Sequence, residues 1–275
     1  ILLESEEYLR VNYSNYTIIY AEELGARFSL ENGVTFPIPR KYRDIFNLRA
    51  NIKFVLKIIQ LYPTLQSKKS RMVFLQIMPS PLDTIFDLIA KRFDASIVRC
   101  IHDLQAHPGE KWPSAKSILN RIGRAQILIA YSNYIATGIR QITEKHVLMA
   151  NLPSKVFLEK QFEKAEIPPV LSKAIPSVSV VGRAHEYKGY ELLADALDNI
   201  NLQFKFSAHG FGIYPLKFES LGIVANRWLS NSELMSAIES ADILIFPYIE
   251  ASQSGLIPIA KAANKIIVAS AIGGL

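Results

Sequence analysis

Three groups of residues in this sequence carry side chains that could do chemistry. Arg183 closes an apolar run, and Lys188-Gly189 follows where a helical pattern begins. Two cations beside the free N–H groups of a helix start form a place for an anion, most simply a phosphate. A lone cation near a helix N-terminus is unfavourable, so Lys188 there implies an anionic occupant. The stretch EASQSG, residues 250–255, places a carboxylate (Glu250), hydroxyls, an amide (Gln253), Ser254 and Gly255 ahead of a second helix expected over 256–264. Glu250 reads either as a partner for ligand hydroxyls or as an acidic residue that complements the helix dipole. The third group, HDLQAHPGE, brings His102, Asp103, His107 and Glu110 to a loop just past a strand end, where binding residues concentrate. One of the histidines reads also as a satisfied structural residue, and metal binding is the other reading of the cluster.

Positioning these groups requires strands that end at one edge of a sheet. Apolar runs at 178–181, 243–247 and 96–101 each precede one of the three groups, and helical patterns follow the first two. Strands are also expected at 72–78, 126–131, 146–149, 203–207 and 223–226, with an opening strand at 16–22. Helices are expected over 82–93, 115–124, 133–142, 190–199, 213–220 and 232–240. Strand-helix alternation of this kind implies parallel, doubly wound sheets, which hold ligands at the carboxyl ends of their strands. Residues 153–176 contain Pro153, Pro168, Pro169 and Pro176 without sustained periodicity and read as a linker. The expected division is therefore an N-terminal domain over 1–152 and a C-terminal domain over 177–275.

Smaller features leave alternatives open. HGFG, residues 209–212, brings Gly210 either to a phosphate or into a plain turn. Trp228 sits ahead of a capping box formed by Ser230 and Glu233, and reads as a ligand contact or a packing residue. From 40 to 61, Ile45, Ile52, Val55 and Ile59 share one face, with Arg49, Lys53 and Lys57 on another. This basic amphipathic helix is either a core-packed element with a solvated face or, at 41–61, a dock for an anionic membrane surface.

Composition narrows the classes. The chain has 275 residues, 49% hydrophobic and 20% charged, enough to bury a core, and a formal net charge of +6 that favours anionic partners. A single cysteine, Cys100, excludes an internal disulfide framework and fits a reducing compartment, with burial as its expected role. No apolar run approaches the roughly 20 residues of a membrane span, so a cytoplasmic location is expected. Basic residues are not interleaved with an aromatic platform, and no zinc, helix-turn-helix or RNP-like signature marks nucleic-acid binding.

GRxxxxKG before a helix, ADxxxxPYxEASQSG and a closing GGL together resemble the nucleotide-binding half of retaining glycosyltransferases with two Rossmann-like domains, the family-4-like group-1 glycosyl transferases. HDxxxHPGE resembles the N-terminal-domain loop of the same enzymes. The resemblance implies the B-type fold, α/β with two parallel-sheet domains facing across a cleft. It implies transfer of a hexose from a UDP- or GDP-sugar to a glycan, lipid-linked or small-molecule acceptor, with retention, peripheral to the inner face of the membrane in polysaccharide assembly. Arg183, Lys188, Ser254 and Gly255 then fall on the donor diphosphate; Gln253, Gly210 and Trp228 on the donor sugar or nucleotide; His102, Asp103 and Glu250 on the reacting centre; His107 and Glu110 on the acceptor side. No cofactor is implied beyond the sugar nucleotide, and without an acidic DxD pair no metal is expected.

The sequence departs from that family in two ways. Many relatives carry a second glutamate eight positions after the first, where Pro258 stands here. The family's glycine-rich opening loop and its final strand-helix units are also not found, so the chain reads as truncated at both ends. These departures keep alive a non-catalytic nucleotide-sugar-binding or partner subunit, or a sugar-nucleotide epimerase of the same fold.

Overall fold

A computed structural model describes residues 83–110, 114–150 and 175–275, together with 18–21, 33–36, 56, 60, 62–63, 66, 73–76 and 171. For 18–21, 33–36, 73–76 and 83–86 the description is of the backbone. The chain divides into two compact units, one of residues 1–74 and 80–97, the other of 75–79 and 98–275. Most of the expected basic helix, including Arg49, Lys53 and Lys57, and most of the expected linker lie outside the described residues; Leu56 and Gln60 are helical.

In the first unit β1 (Ile18–Ala21) pairs in parallel with β2 (Gly33–Phe36), a strand the sequence pattern did not suggest. Helix α1 (Asp83–Arg92) follows β3 (Val73–Gln76). A four-stranded sheet has the order β3-β4-β5-β6, with β4 (Ser96–Ile101), β5 (Ile127–Ala130) and β6 (His146–Met149) parallel, and its strands β5 and β6 belong to the second unit. Its connecting helices α2 (Ala115–Arg124) and α3 (Asn133–Ile142) start at Ser114 and Ser132, whose hydroxyls accept the N–H of Ser117 and Ile135. Each such cap satisfies one of the N–H groups that a helix start leaves unpaired. Ile135, Ala136 and Ile139 form the buried stripe of α3 at helical spacing.

The five-stranded sheet has the order β11-β10-β7-β8-β9, parallel throughout. Its strands are β7 (Ser177–Val181), β8 (Lys205–Gly210), β9 (Gly222–Asn226), β10 (Ile243–Phe246) and β11 (Ile266–Ala269). Helices α4 (Tyr190–Asp198), α5 (Lys217–Leu221), α6 (Asn231–Ser240) and α7 (Ile257–Ala262) connect them. Because the sheet is covered on both faces, β7 is buried without a break from Val178 to Val181, Ser179 included. Val178 and Val180 enter one core with Tyr190, Leu193, Phe206 and Phe218, whereas Val181 enters another with Ile238, Leu244, Phe246 and Ile259. Two fully buried anchors, Phe218 and Ile259, are 0% exposed. Truncating either to alanine would cost about 2–5 kcal/mol.

Local differences from the sequence pattern have physical causes. The helix expected over 213–220 begins only at Lys217. The segment before it is tied down: the N–H of Ile213 donates to Ala184, that of Gly212 donates to Asn226 Oδ1, and Asn226 Nδ2 donates back to the Gly212 carbonyl. Strand β8 runs on to Gly210, so His209 lies within the strand rather than after it.

Candidate active site

Parallel strands deliver their loops to one edge. After β7, Gly182 has a φ of 116° and the chain passes Arg183 into a 3-10 turn, Glu186–Lys188. Gly189, with a φ of 67°, then turns the chain into α4, and a Cβ there would drive into the Pro247 carbonyl. Only glycine fits this close approach. The corner is thereby pressed against the segment that follows β10, and the N–H of Ile249 donates to the Tyr187 carbonyl at 3.0 Å.

Within that corner Lys188 is 9% exposed. Its Nζ lies 3.7 Å from the centre of the Tyr248 ring and 5.0 Å from that of Tyr187. Burial, and then the Arg183 charge, pull its pKa down to about 7 against an opposing pull from Glu110. Among the described residues no carboxylate lies within ion-pair distance of it, so a buried amine is held by aromatic faces. Arg183 is exposed beside it. The Tyr248 hydroxyl and Ser254 Oγ are 3.2 Å apart, which links Lys188 to the second expected anion contact. Ser254 Oγ also accepts the Leu256 N–H at 3.4 Å.

The loop after β4 reaches the same place. His107 stacks on Tyr187 with ring centres 4.4 Å apart and 19° between planes. Its Nε2 lies 3.1 Å from Asp103 Oδ1 and its Nδ1 3.2 Å from Glu250 Oε1. Asp103 above all, and then Glu250, raise the His107 pKa against the effect of burial. Burial alone would raise Asp103, but hydrogen bonds with His107 and Ser252 and the charges of His107 and His102 bring it below its ordinary value. Gln105 Nε2 also donates to Glu250 Oε1, at 3.3 Å. His102 Nδ1 lies 2.9 Å from Gln253 Nε2, and its ring is tilted against Tyr131. Gln253 Oε1 is buried without a hydrogen-bond partner. A buried acceptor left unpaired is costly and marks a position where a ligand donor, such as a hydroxyl, would fit.

The structure therefore brings together His102, Asp103, His107, Glu250, Gln253 and Lys188, with Ser254 joined through Tyr248. Glu110 Oε1 approaches His185 Nδ1 at 4.0 Å. Gly255 lies two residues before α7. Gly210 packs against Gly182, whose carbonyl a Cβ at Gly210 would strike, and its own carbonyl accepts the Arg227 N–H. Trp228 stacks on Phe211 and is 66% exposed. Sequence reasoning missed Tyr187, Tyr248, Gln105 and Ser252. Tyr187 and Tyr248 are adjacent to the strand-to-helix corners, which was the signal available for them.

No family model matches the sequence, and no curated protein does. Solved structures are similar in fold. HepE (Alr3699) of Anabaena in complex with UDP-glucose is 14% identical over 92% of this chain and 70% of its own, with a TM-score of 0.60. Sucrose-phosphate synthase from Thermosynechococcus elongatus is 15% identical over 88% of this chain and 66% of its own, with a TM-score of 0.57. The E. coli trehalose-6-phosphate protein bound with UDP-2-fluoro glucose is 14% identical over 82% and 65%, with a TM-score of 0.54. The chain has the parallel α/β B-type glycosyltransferase fold that these structures share.

Proposed function

We propose that this chain is a glycosyltransferase that moves a hexose from a UDP- or GDP-sugar to a glycan, lipid-linked or small-molecule acceptor with retention. The observation that carries the reading is the buried amine of Lys188, without a carboxylate in ion-pair range among the described residues, beside Arg183 at the carboxyl edge of a parallel sheet. In the reaction the bond from the anomeric carbon to the donor phosphate oxygen breaks and a bond to the acceptor oxygen forms. The acceptor's proton passes to the departing diphosphate. Negative charge grows on that diphosphate, and fixed cations placed beforehand lower the barrier most. Arg183 and Lys188 supply them, and Ser254 and Gly255 add a hydroxyl and a backbone N–H.

Glu250 and the unpaired Gln253 acceptor fit sugar hydroxyls, an inference strengthened by the UDP-glucose bound to HepE. His102, oriented by Gln253, and Asp103 act by positioning and field rather than as an obligatory base. His107 and Glu110 serve the acceptor side. We place the reaction in the cytoplasm, with the basic segment 41–61 meeting an anionic membrane surface. Among the described residues no helix is long and apolar enough to cross a membrane.

Release of UDP or GDP from a panel of sugar nucleotides, lost in Arg183→Ala and Lys188→Ala, is the expected result. Nucleotide binding without release from any sugar nucleotide would point instead to a non-catalytic binding subunit. Co-sedimentation with anionic liposomes, weakened when Arg49, Lys53 and Lys57 become glutamine, tests the membrane contact.

A further inference from the structure

Tyr187 lies between the Lys188 corner and the histidine loop, although nothing about its residue type marks it as reactive. One face of its ring stacks on His107 at 4.4 Å and 19°, and His185 lies near-parallel at 5.9 Å. Lys188 Nζ is 5.0 Å from the ring centre, and the Tyr248 ring meets it edge-on at 6.2 Å. Its backbone carbonyl anchors Ile249, the residue before Glu250. Arg183, Glu110 and Asp103 are the charges that act on its hydroxyl. The residue is 9% exposed, so its ring is fixed by packing. Beside it Gly109 approaches Glu186, where a Cβ would come within 3.1 Å of Oε2, so the histidine loop lies close against the 3-10 turn that carries Tyr187.

We propose that Tyr187 is a positioning residue that couples occupancy of the Lys188 anion site to the placement of the His107 imidazole. This rests on the reading of Arg183 and Lys188 as a phosphate site. An anion at that site draws the Lys188 ammonium off the tyrosine faces, which relaxes its cation–π contacts. The ring that lost this contact is the ring on which His107 is stacked. His107 in turn holds Glu250 at 3.2 Å, so filling the phosphate corner resets the hold on the group that would meet the sugar. The aromatic ring, not the hydroxyl, carries the effect.

The test uses the full chain with 13C-labelled histidine and inorganic pyrophosphate as the probe. The protein has five histidines. Their ring resonances are assigned by single His→Gln changes. In the unaltered protein, pyrophosphate is expected to move the His185 resonance, which reports the filled corner, and the His107 resonance with it, while His146 stays in place. In Tyr187→Leu the His185 shift is retained and the His107 shift is lost; Tyr187→Phe restores it. Tyr187→Met replaces the leucine variant if that protein does not fold. A His107 shift that persists without the ring means a direct field effect and overturns the proposal, as does a Tyr187→Phe protein that behaves like the leucine variant. Loss of the His185 shift in Tyr187→Leu makes the ring part of the anion site and also overturns it. If His185 moves in the unaltered protein but His107 does not, the coupling fails and the phosphate site stands. If neither moves and calorimetry shows no pyrophosphate binding, the phosphate site itself falls, and the coupling with it.

Discussion

The corners after β7 and after β10 lie against each other yet are built for opposite ligands. The first presents Arg183 and a buried Lys188 without a carboxylate in ion-pair range among the described residues. The second presents the Gln253 amide with a buried, unpaired acceptor and Glu250 held by His107 and Gln105. Excess positive charge at one corner and excess hydrogen-bond acceptance at the other suit a molecule with an anionic end and a hydroxyl-bearing end. The fold supplies the same geometry twice, and the side chains decide what each copy takes.

The largest effect should come from removing the buried cation. Lys188→Met is expected to lower UDP release from the cognate donor by about 100-fold or more, the scale of losing one preorganised transition-state contact. In the ligand-free protein the same change should raise the melting temperature, because a desolvated charge without a counter-ion gives way to an apolar side chain of similar length. A Lys188→Met protein that melts lower and retains turnover would erase the contrast between the two corners.

Next comes protonation. With the Lys188 pKa near 7, the amine is mostly neutral at pH 8, and an arriving diphosphate raises its pKa again. Calorimetry in two buffers of different ionisation heat should therefore show uptake of about one proton at pH 8 on UDP binding. A folded-state pKa below the ordinary lysine value also means that the unfolded chain binds the extra proton. Stability should thus rise with pH from about 7 toward the ordinary lysine range, and Lys188→Met should flatten that rise.

Gln253→Ala sharpens the other side of the comparison. It should weaken binding of a UDP-sugar by about 10-fold or more relative to UDP alone, since only the sugar meets the second corner. Equal weakening of both ligands would remove Gln253 from the sugar.

The smallest effect concerns His107. Its raised pKa contributes stability that is complete below its unfolded value and fades as pH rises through the folded one. The lowered pKa of Asp103 acts at the other end, with stability lost as pH falls through its folded value. His107→Gln should therefore cost stability mainly between these two limits, by no more than about 1 kcal/mol because the pair is partly solvated. Urea unfolding at pH 5.5 and pH 8.5 measures it.

Much of this was legible in the sequence because it is local. The strand over 178–181, the capping box of Ser230 and Glu233, and Arg183 with Lys188 beside a glycine declare themselves within a few residues. The β1–β2 pair was half read, because GVTF is too short a run to stand out from its neighbours. The contacts that assemble the site join residues 143 to 151 positions apart, such as His107 with Glu250 and His102 with Gln253. No periodicity reports such pairings. Tyr187 and Tyr248 were missed for a related reason: a tyrosine declares itself as core, and its use as a support for a lysine or a histidine depends on who arrives through space.

The central claim is that Lys188 is a buried amine that becomes fully charged when a donor diphosphate arrives. Titrating the unaltered chain and Lys188→Met with UDP by calorimetry at pH 8 tests it most directly. The account predicts binding with proton uptake in the first and neither in the second. Equal affinity in both proteins, with no proton exchanged in either, would contradict it.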